Sequence, residues 1–364
     1  MNKEPLGIAI AGLGFGQSVH LPAAISTELF NINSLWHPNP EKLDLISKKQ
    51  SIKGVSDWSR LLEDKDIKGI IIATPPGPRF QLAKEALMAG KHLLLEKPVA
   101  LNAAEIIKLE TLALENSLTV GVNFEYRAVP AFRQAKRLLD KQNIGEPWLV
   151  KFDWIMGSRA NKEREWNWYS DRCQGGGVIG ALGTHAIDII HWFFGTTRNV
   201  NSRLSTSIKQ RFYKDKGELK AVSSEDVCLA QLDVHNYLTG GQFPTQLNLS
   251  SISRNGRGCW IEIYGSEGTI VLGSDNQKDY VHGFSLWFAP KGEELKNVQI
   301  DSDLAFKTTW KDGRLAPVKT IQELWHYSIK NSVPMIPGLI EAIESQKVCD
   351  LLIESNESGS RKSP

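Results

Sequence analysis

The chain has 364 residues, 41% of them hydrophobic, which is enough apolar material for two folded cores of ordinary size. A formal net charge of +2 leaves no excess of either sign, and this speaks against a nucleic-acid partner or an anionic membrane surface. The four cysteines, Cys173, Cys228, Cys259 and Cys349, form neither a C-x-x-C pair nor a metal-ligand spacing, so a reducing cytoplasm is the expected location.

Leu6-Gly7-Ile8-Ala9-Ile10-Ala11 reads as a first strand, preceded by Glu4 and Pro5 rather than by anything like a signal peptide. It runs into Gly12-Leu13-Gly14-Phe15-Gly16, and Val19, Leu21, Ala23, Ala24 and Ile25 predict a helix whose start Pro22 obscures. Strand, glycine turn and helix form the context of a dinucleotide fingerprint. Gly12 permits the turn, and Gly14 lets the backbone approach a pyrophosphate at the helix N-terminus. The spacing is G-x-G-x-G, with Gln17 where a third glycine is expected. Gly12, Gly14, Phe15 and Gly16 are the first candidate cofactor-binding residues. A second strand, Phe30 to Trp36, ends at His37, where NAD-binding folds commonly place a carboxylate for the ribose 2′-hydroxyl. A carboxylate would repel a 2′-phosphate and a histidine would not, so His37 tilts the expected cofactor towards NADP over NAD.

Asp57 is placed to cap a short helix, and Ile67 to Ala73 forms a β-branched strand ending in Thr74-Pro75-Pro76-Gly77-Pro78. Thr74 and Pro75 would lie against the cofactor's ribose side. A helix with Phe80, Ala83 and Leu87 on one face stops at Gly90. Lys91 to Pro98 then predicts a short buried strand that finishes in Glu96, Lys97 and Pro98, at the end where open α/β sheets bind ligands. A helix over Leu101 to Asn116 and a strand over Leu118 to Val122 follow. Alternation of strand and helix from residue 6 to about 122 predicts a parallel, doubly wound sheet.

The second half predicts an α+β domain with a large, mainly antiparallel sheet. A helix opens at Pro130, a strand covers Trp148 to Trp154, and strands with turns run from Ile208 to Leu272. Between them lie an aromatic, charged loop containing Trp166, Trp168 and Tyr169, the triplet Gly175-Gly176-Gly177, and the stretch Leu182 to Trp192. Pro317 to Lys330 and Leu339 to Glu354 predict helices. The expected domains are therefore 1–123 and 124–355, with 356–364 a mobile polar tail. No apolar run approaches the roughly 18 residues a membrane span requires.

Taken together, these motifs resemble the Gfo/Idh/MocA oxidoreductase family, over about residues 6 to 355. The features that carry the resemblance are the glycine turn, Ala73-Thr74-Pro75, Ala89-Gly90-Lys91-His92 leading into Glu96-Lys97-Pro98, the glycine triplet, and Gly183-x-His185-x-x-Asp188. The resemblance implies an N-terminal Rossmann domain, a C-terminal sheet domain, a substrate cleft between them, and a homodimer or homotetramer formed through the sheet. It implies that Lys97 contacts substrate and cofactor, that the Lys97–Pro98 peptide is cis, and that His185 is catalytic. The sequence departs from the family pattern at Ala181, where an aspartate is usual, and at Arg79, where many members carry a histidine.

The expected chemistry is hydride transfer between a nicotinamide dinucleotide and a secondary alcohol or carbonyl of a sugar or cyclitol derivative. Lys97 would hold the reacting oxygen and His185 would take the hydroxyl proton. Glu96 and Lys97 join the cofactor-binding set. Tyr126, Arg127, Trp166, Trp168 and Asp188 are candidate substrate residues, although the two tryptophans equally suit a loop packed on a core. His20, His191, His235, His282 and His326 show no metal spacing and read as structural or exposed; no metal site is expected. A non-catalytic dinucleotide sensor and an NAD-assisted glycoside hydrolase are the alternatives, the former kept open by Ala181.

Overall fold

Short runs of isoleucine and leucine between turns can be buried on both faces only in a parallel sheet covered by helices, and the N-terminal runs do this. In the computed structural model, which describes residues 4–276 and 280–364, they form β1 (Leu6–Ala11), β2 (Phe30–Trp36), β3 (Gly54–Val55), β4 (Gly69–Ile72), β5 (His92–Leu95) and β6 (Val120–Val122). All pairings are parallel, in the order β3-β2-β1-β4-β5-β6. Ile8, Ile10, Ile70, Ile71, Ile72, Leu93, Leu94 and Leu95 are fully buried. The strand order reverses between β1 and β4, which places a ligand crevice outside their carboxyl ends. Asp57 caps the Trp58–Glu63 helix and Asn102 caps Ala103–Glu115, each accepting backbone N–H bonds.

The chain divides into two compact units, whose bounds differ from those of the two domains expected in sequence order. Met1–Glu125 is joined by Thr308–Ile343, while Tyr126–Lys307 and Glu344–Pro364 make the second unit. The helix Leu315–Asn331 buries Trp325, which stacks on Phe30 with ring centroids 5.9 Å apart. Beyond it the chain runs along the edge strand β6: Gly338 bridges Gly121, and the Val122 N–H donates to the Pro337 carbonyl at 3.1 Å. Helical periodicity shows that a face is buried but not which sheet covers it; here the segment packs with the first unit.

In the second unit, alternation of buried and exposed residues gives a one-sided sheet. Its strands are β7 (Pro147–Ile155), β8 (Thr197–Ser205), β11 (Val227–His235), β12 (Gln242–Ser250), β13 (Gly258–Gly265), β14 (Gly268–Ser274), β15 (Ser285–Pro290) and β16 (Lys296–Asn297). Their order is β16-β15-β14-β13-β7-β12-β11-β8, with only the β7–β12 pair parallel. A separate hairpin joins β9 (Gln210–Tyr213) and β10 (Glu218–Ala221). Phe152, Trp154, Leu247, Ile261 and Ile263 on the inner face pack with Phe132, Ile187, Ile190, Phe193, Val348 and Leu352 from helices.

The expected mobile tail is tied down. The last helix runs Leu339–Ser358, Leu204 N–H donates to Asn356 Oδ1 at 2.8 Å, and Val200 and Lys362 exchange backbone hydrogen bonds at 2.8 and 2.9 Å. Polar composition predicts disorder only where the backbone lacks partners, and here the edge of β8 supplies them. Among the described residues no helix is long and apolar enough to cross a membrane, and all four cysteines are free thiols. Trp325→Ala is expected to cost about 3–5 kcal/mol of stability, as for other large-to-small core changes; urea unfolding of the variant measures it.

Candidate functional site

The carboxyl ends of β1, β4, β5 and β6 carry the first group of candidate residues. At the end of β1, Gly12 has φ +107° and donates its N–H to the Trp36 carbonyl at 3.0 Å. A Cβ there would come within 2.6 Å of the Ala73 carbonyl oxygen, so β1 and β4 can end this close only with glycine. Around Gly14 nothing lies within 4 Å of where a Cβ would stand, and the turn is open above it. The following helix begins as a wide turn, Gly16–His20, before Leu21–Ile25; Pro22 in its body has no N–H to give to the preceding turn. Phe15 sits edge-on to His20 at 5.5 Å and beneath the Arg314 guanidinium at 5.5 Å.

At the end of β2, His37 Nδ1 accepts the Asn39 N–H at 3.0 Å, and the Asn39 side chain caps the Pro40–Gln50 helix. Partial burial lowers the His37 pKa, the Lys42 charge acts the same way, and a hydrogen bond donated to the Asn39 carbonyl would oppose them. At the end of β4, Thr74 is buried and its Oγ1 has no hydrogen-bond partner among the described residues.

The end of β5 holds a network that the sequence shows only in part. Glu96 is buried, and its Oε1 accepts Asn123 Nδ2–H at 2.7 Å and lies 2.9 Å from His20 Nε2. Its Oε2 accepts the Lys97 backbone N–H at 3.2 Å. Gln322, from the Leu315–Asn331 helix, donates to the His20 carbonyl at 3.0 Å and lies 3.2 Å from Nδ1. An imidazole with its proton on Nε2 satisfies every contact. Burial alone would raise the Glu96 pKa, but the hydrogen bond from His20 and the Lys97 and Arg79 charges outweigh it and hold the carboxyl below its ordinary value.

Arg79, on the Pro76–Met88 helix, is likewise buried and donates to three carbonyl oxygens, those of Glu96 (2.6 Å), Pro98 and Thr74. It clamps the loops after β4 and β5 together, and burial pushes its pKa down to about 10. The Lys97–Pro98 peptide is cis. Lys97 keeps part of its surface exposed. Burial of its ammonium lowers its pKa, with Arg79 acting the same way and Glu125 and Glu96 opposing.

The other candidates lie in the second unit. His185 and Asp188 share the Thr184–Phe193 helix, which continues from a wide turn, Ile179–Gly183, holding Ala181. The glycine triplet makes that entry possible. Gly177 has φ +102°, and a Cβ on it would meet Glu225 Oε1 at 2.2 Å. That oxygen accepts the Ile179 N–H at 2.9 Å and so serves the helix entrance. His185 is 3% exposed, with its ring 4.8 Å from Tyr126 and 6.2 Å from Trp154. Asp188 is 1% exposed and receives a bidentate pair from Arg127, Nε to Oδ2 at 2.9 Å and Nη2 to Oδ1 at 2.7 Å.

Tyr126 is a core residue, packed by Phe132, Trp154 and Phe284 as well as by His185. Trp166 is also buried: its indole N–H donates to the Ala221 carbonyl at 2.9 Å, and its ring meets Tyr213 and Lys220 of the β9–β10 hairpin. Trp168 is half-buried beside Tyr169. Lys97 thus belongs to the first unit and His185 to the second.

Sequence reasoning missed His20, Asn123, Glu125, Gln322 and Arg79 as members of one buried network. His20 reads as structural, yet it bonds Glu96 directly. The available signals were the positions of Asn123 and Glu125 just beyond β6, and an arginine at 79 in an otherwise apolar helix face. Among the described residues no group of histidine, cysteine, aspartate and glutamate is arranged to hold a metal ion.

Comparison with known proteins agrees with this geometry. Residues 6–124 match the family described as "Oxidoreductase family, NAD-binding Rossmann fold", and residues 136–363 match "Oxidoreductase family, C-terminal alpha/beta domain". The chain therefore belongs to the Gfo/Idh/MocA oxidoreductase family. It is 38% identical to an uncharacterised oxidoreductase of Synechocystis, over 98% of this chain and 96% of that protein. It is 26% identical to the levoglucosan dehydrogenase of Pseudarthrobacter phenanthrenivorans, over 78% of this chain and 77% of that enzyme. A solved structure of levoglucosan dehydrogenase in complex with NADH and levoglucosan has the same fold, with a TM-score of 0.86, 20% identity and 99% of both chains covered.

Arg79→Met removes the donors of three buried carbonyls. It is expected to cost about 3 kcal/mol or more, since each unsatisfied buried acceptor costs roughly 1–3 kcal/mol. Thermal unfolding checks this, and a variant as stable as the wild type contradicts the clamp.

Proposed function

We propose that this protein is an NAD(P)-dependent dehydrogenase that oxidises a secondary hydroxyl of a sugar or cyclitol derivative, or reduces the matching carbonyl. The observation that carries the reading is a lysine, Lys97, presented at a strand end by a buried hydrogen-bond network beside an open glycine turn. The site fits a dinucleotide. Gly14 leaves space that a side chain would fill, Thr74 offers a buried hydroxyl, and Gly12, Phe15, Gly16, Pro75 and Glu96 border the same strand ends. The levoglucosan dehydrogenase relative and its complex with NADH and levoglucosan support a nicotinamide cofactor and a sugar-like substrate.

His37 and Lys42 at the end of β2 favour a 2′-phosphate and hence NADP, whereas the NADH bound to the structural neighbour favours NAD. When bound, the cofactor supplies the hydride acceptor or donor. The chain's own residues do the rest: Lys97 donates a hydrogen bond to the reacting oxygen as it gains negative charge, and His185 takes the hydroxyl proton. Asp188 and Arg127, paired with each other, fix the helix that carries His185, and Trp168 borders the substrate side. The exposed face of the large sheet, with Trp148 and Leu229 outward, supports a homodimer or homotetramer. Free thiols throughout support a cytoplasmic location.

Ala181 supports a second reading, a dinucleotide sensor without turnover. The two readings separate in one experiment: wild type and Lys97→Ala are assayed for change in NAD(P)H fluorescence on a panel of sugars, inositols and keto sugars. Turnover by the wild type, abolished in Lys97→Ala with dinucleotide affinity kept within a few-fold, is the expected result. Wild-type-like turnover in the variant contradicts the mechanism, and dinucleotide binding without turnover of any compound favours the sensor.

A further inference from the structure

The glycine turn offers a pyrophosphate space and backbone N–H groups, but residues 12–19 contain neither lysine nor arginine. His20 is engaged by Glu96 and Gln322, and Arg79 by three carbonyl oxygens. A pyrophosphate carries two negative charges, and the side chain best matched to its oxygens is an arginine with paired N–H donors.

An arginine reaches the turn from the far end of the sequence. The segment Thr308–Ile343 folds with the first unit. Its Leu315 and Val318 are buried against Val19 and Ala23 of the helix that follows the turn, and Phe15 and Trp310 pack on the same cluster. Further along the same helix, Gln322 donates to the His20 carbonyl at 3.0 Å. These contacts fix the start of the Leu315–Asn331 helix beside the turn, and Arg314 is the residue just before it. The Arg314 guanidinium lies 5.5 Å from the centroid of the Phe15 ring. Phe15 stands between Gly14 and Gly16, so the positive charge borders the space left open at Gly14.

Asp312 sets the direction of that charge. Its carboxylate accepts Arg314 Nε–H at 2.8 Å, Nη2–H at 2.6 Å and the Arg314 backbone N–H at 3.1 Å. Its own carbonyl accepts the Leu315 N–H at 3.2 Å. The two side chains are 41% and 36% exposed, so water screens the pair and it adds little stability. Asp312 holds the Nε–Nη2 edge of the guanidinium. The end edge, Nη1 with Nη2, has the fork geometry that phosphate oxygens accept.

We propose that Arg314 is a dinucleotide-binding residue that supplies a cation to the pyrophosphate at the glycine turn, with Asp312 as its positioning residue. The inference rests on the dinucleotide part of the dehydrogenase reading, and it holds equally for a sensor without turnover. It makes the Thr308–Ile343 segment part of the cofactor site rather than a cover for the sheet alone.

The test measures binding and needs no substrate. Purified full-length wild type, Arg314→Gln and Arg314→Lys are titrated by calorimetry with NADH, NADPH and ADP-ribose, which keeps the pyrophosphate and lacks the nicotinamide. Arg314→Gln should weaken every ligand that the wild type binds by about tenfold at low salt. Arg314→Lys, which keeps the charge but not the fork, should fall between. The difference between wild type and Arg314→Gln should shrink from about 0.05 M to about 0.5 M salt, because a charge contact is screened and a packing defect is not.

Folded Arg314→Gln that binds ADP-ribose as the wild type does overturns the proposal. So does a loss confined to NADH and NADPH, which would put Arg314 at the nicotinamide, or a loss that salt leaves unchanged. If Arg314→Gln does not fold, the wild type decides: saturating ADP-ribose should protect Arg314 from phenylglyoxal, read by peptide mass spectrometry, and no protection overturns the proposal. These outcomes leave the dehydrogenase reading intact. A wild type that binds none of the three ligands overturns that reading and this inference together.

Discussion

The rest of the first unit depends on keeping one buried carboxylate, that of Glu96, satisfied. Moving a charge out of water costs several kcal/mol unless close partners replace the lost hydration. Here the partners come from three separate places: His20 after the glycine turn, Asn123 after β6, and the backbone of Lys97 itself. Gln322 extends the network to a helix 302 residues from His20 in sequence. A lone Glu96 would open that strand end to water. Satisfied, it fixes the direction in which β5 leaves the sheet and hence where Lys97 stands. Arg79 adds the complementary constraint, tying the β4 and β5 loops through carbonyl oxygens, which carry no net charge for it to neutralise.

The second unit solves an analogous problem with an ion pair. Asp188 and Arg127 are both largely buried and meet in a bidentate geometry, which is the arrangement in which such a pair best offsets desolvation. The pair joins the Thr184–Phe193 helix to the segment beginning at Tyr126, and His185 packs against Tyr126 one turn before Asp188. Glu225 holds the entrance of that helix and requires the glycine at 177. A histidine placed by packing and by a helix held at its entrance and at Asp188 suits a group whose role depends on orientation.

Much of the fold was legible because it rests on local pattern. The isoleucine and leucine runs, the glycine turn and the strand–helix alternation specify a doubly wound sheet, and the strands and turns from Ile208 to Leu272 specify a mainly antiparallel one. What was not legible depends on which distant surfaces meet. The Leu315–Asn331 helix has a clear buried face, yet nothing local says that Trp325 packs on Phe30. The polar tail contains no signal that Lys362 pairs with Val200. Lys97, Glu96 and His185 each stand in recognisable motifs, whereas His20, Asn123 and Glu125 come together only because the strand ends of the first unit converge. For Trp166 the sequence left two readings, since aromatic, charged surroundings suit a ligand as well as a packed loop; its indole N–H and ring are engaged by the β9–β10 hairpin.

The most direct measurement is a crystal structure of the protein grown with NADH and, separately, with NADPH. The expected result is a dinucleotide with its pyrophosphate over Gly12–Gly16 and its nicotinamide ring on the Lys97 side of the strand ends, with the ribose beside His37 distinguishing the two cofactors. A dinucleotide bound away from the glycine turn, or none at saturating concentration of either, would contradict the assignment of these strand ends as the redox site.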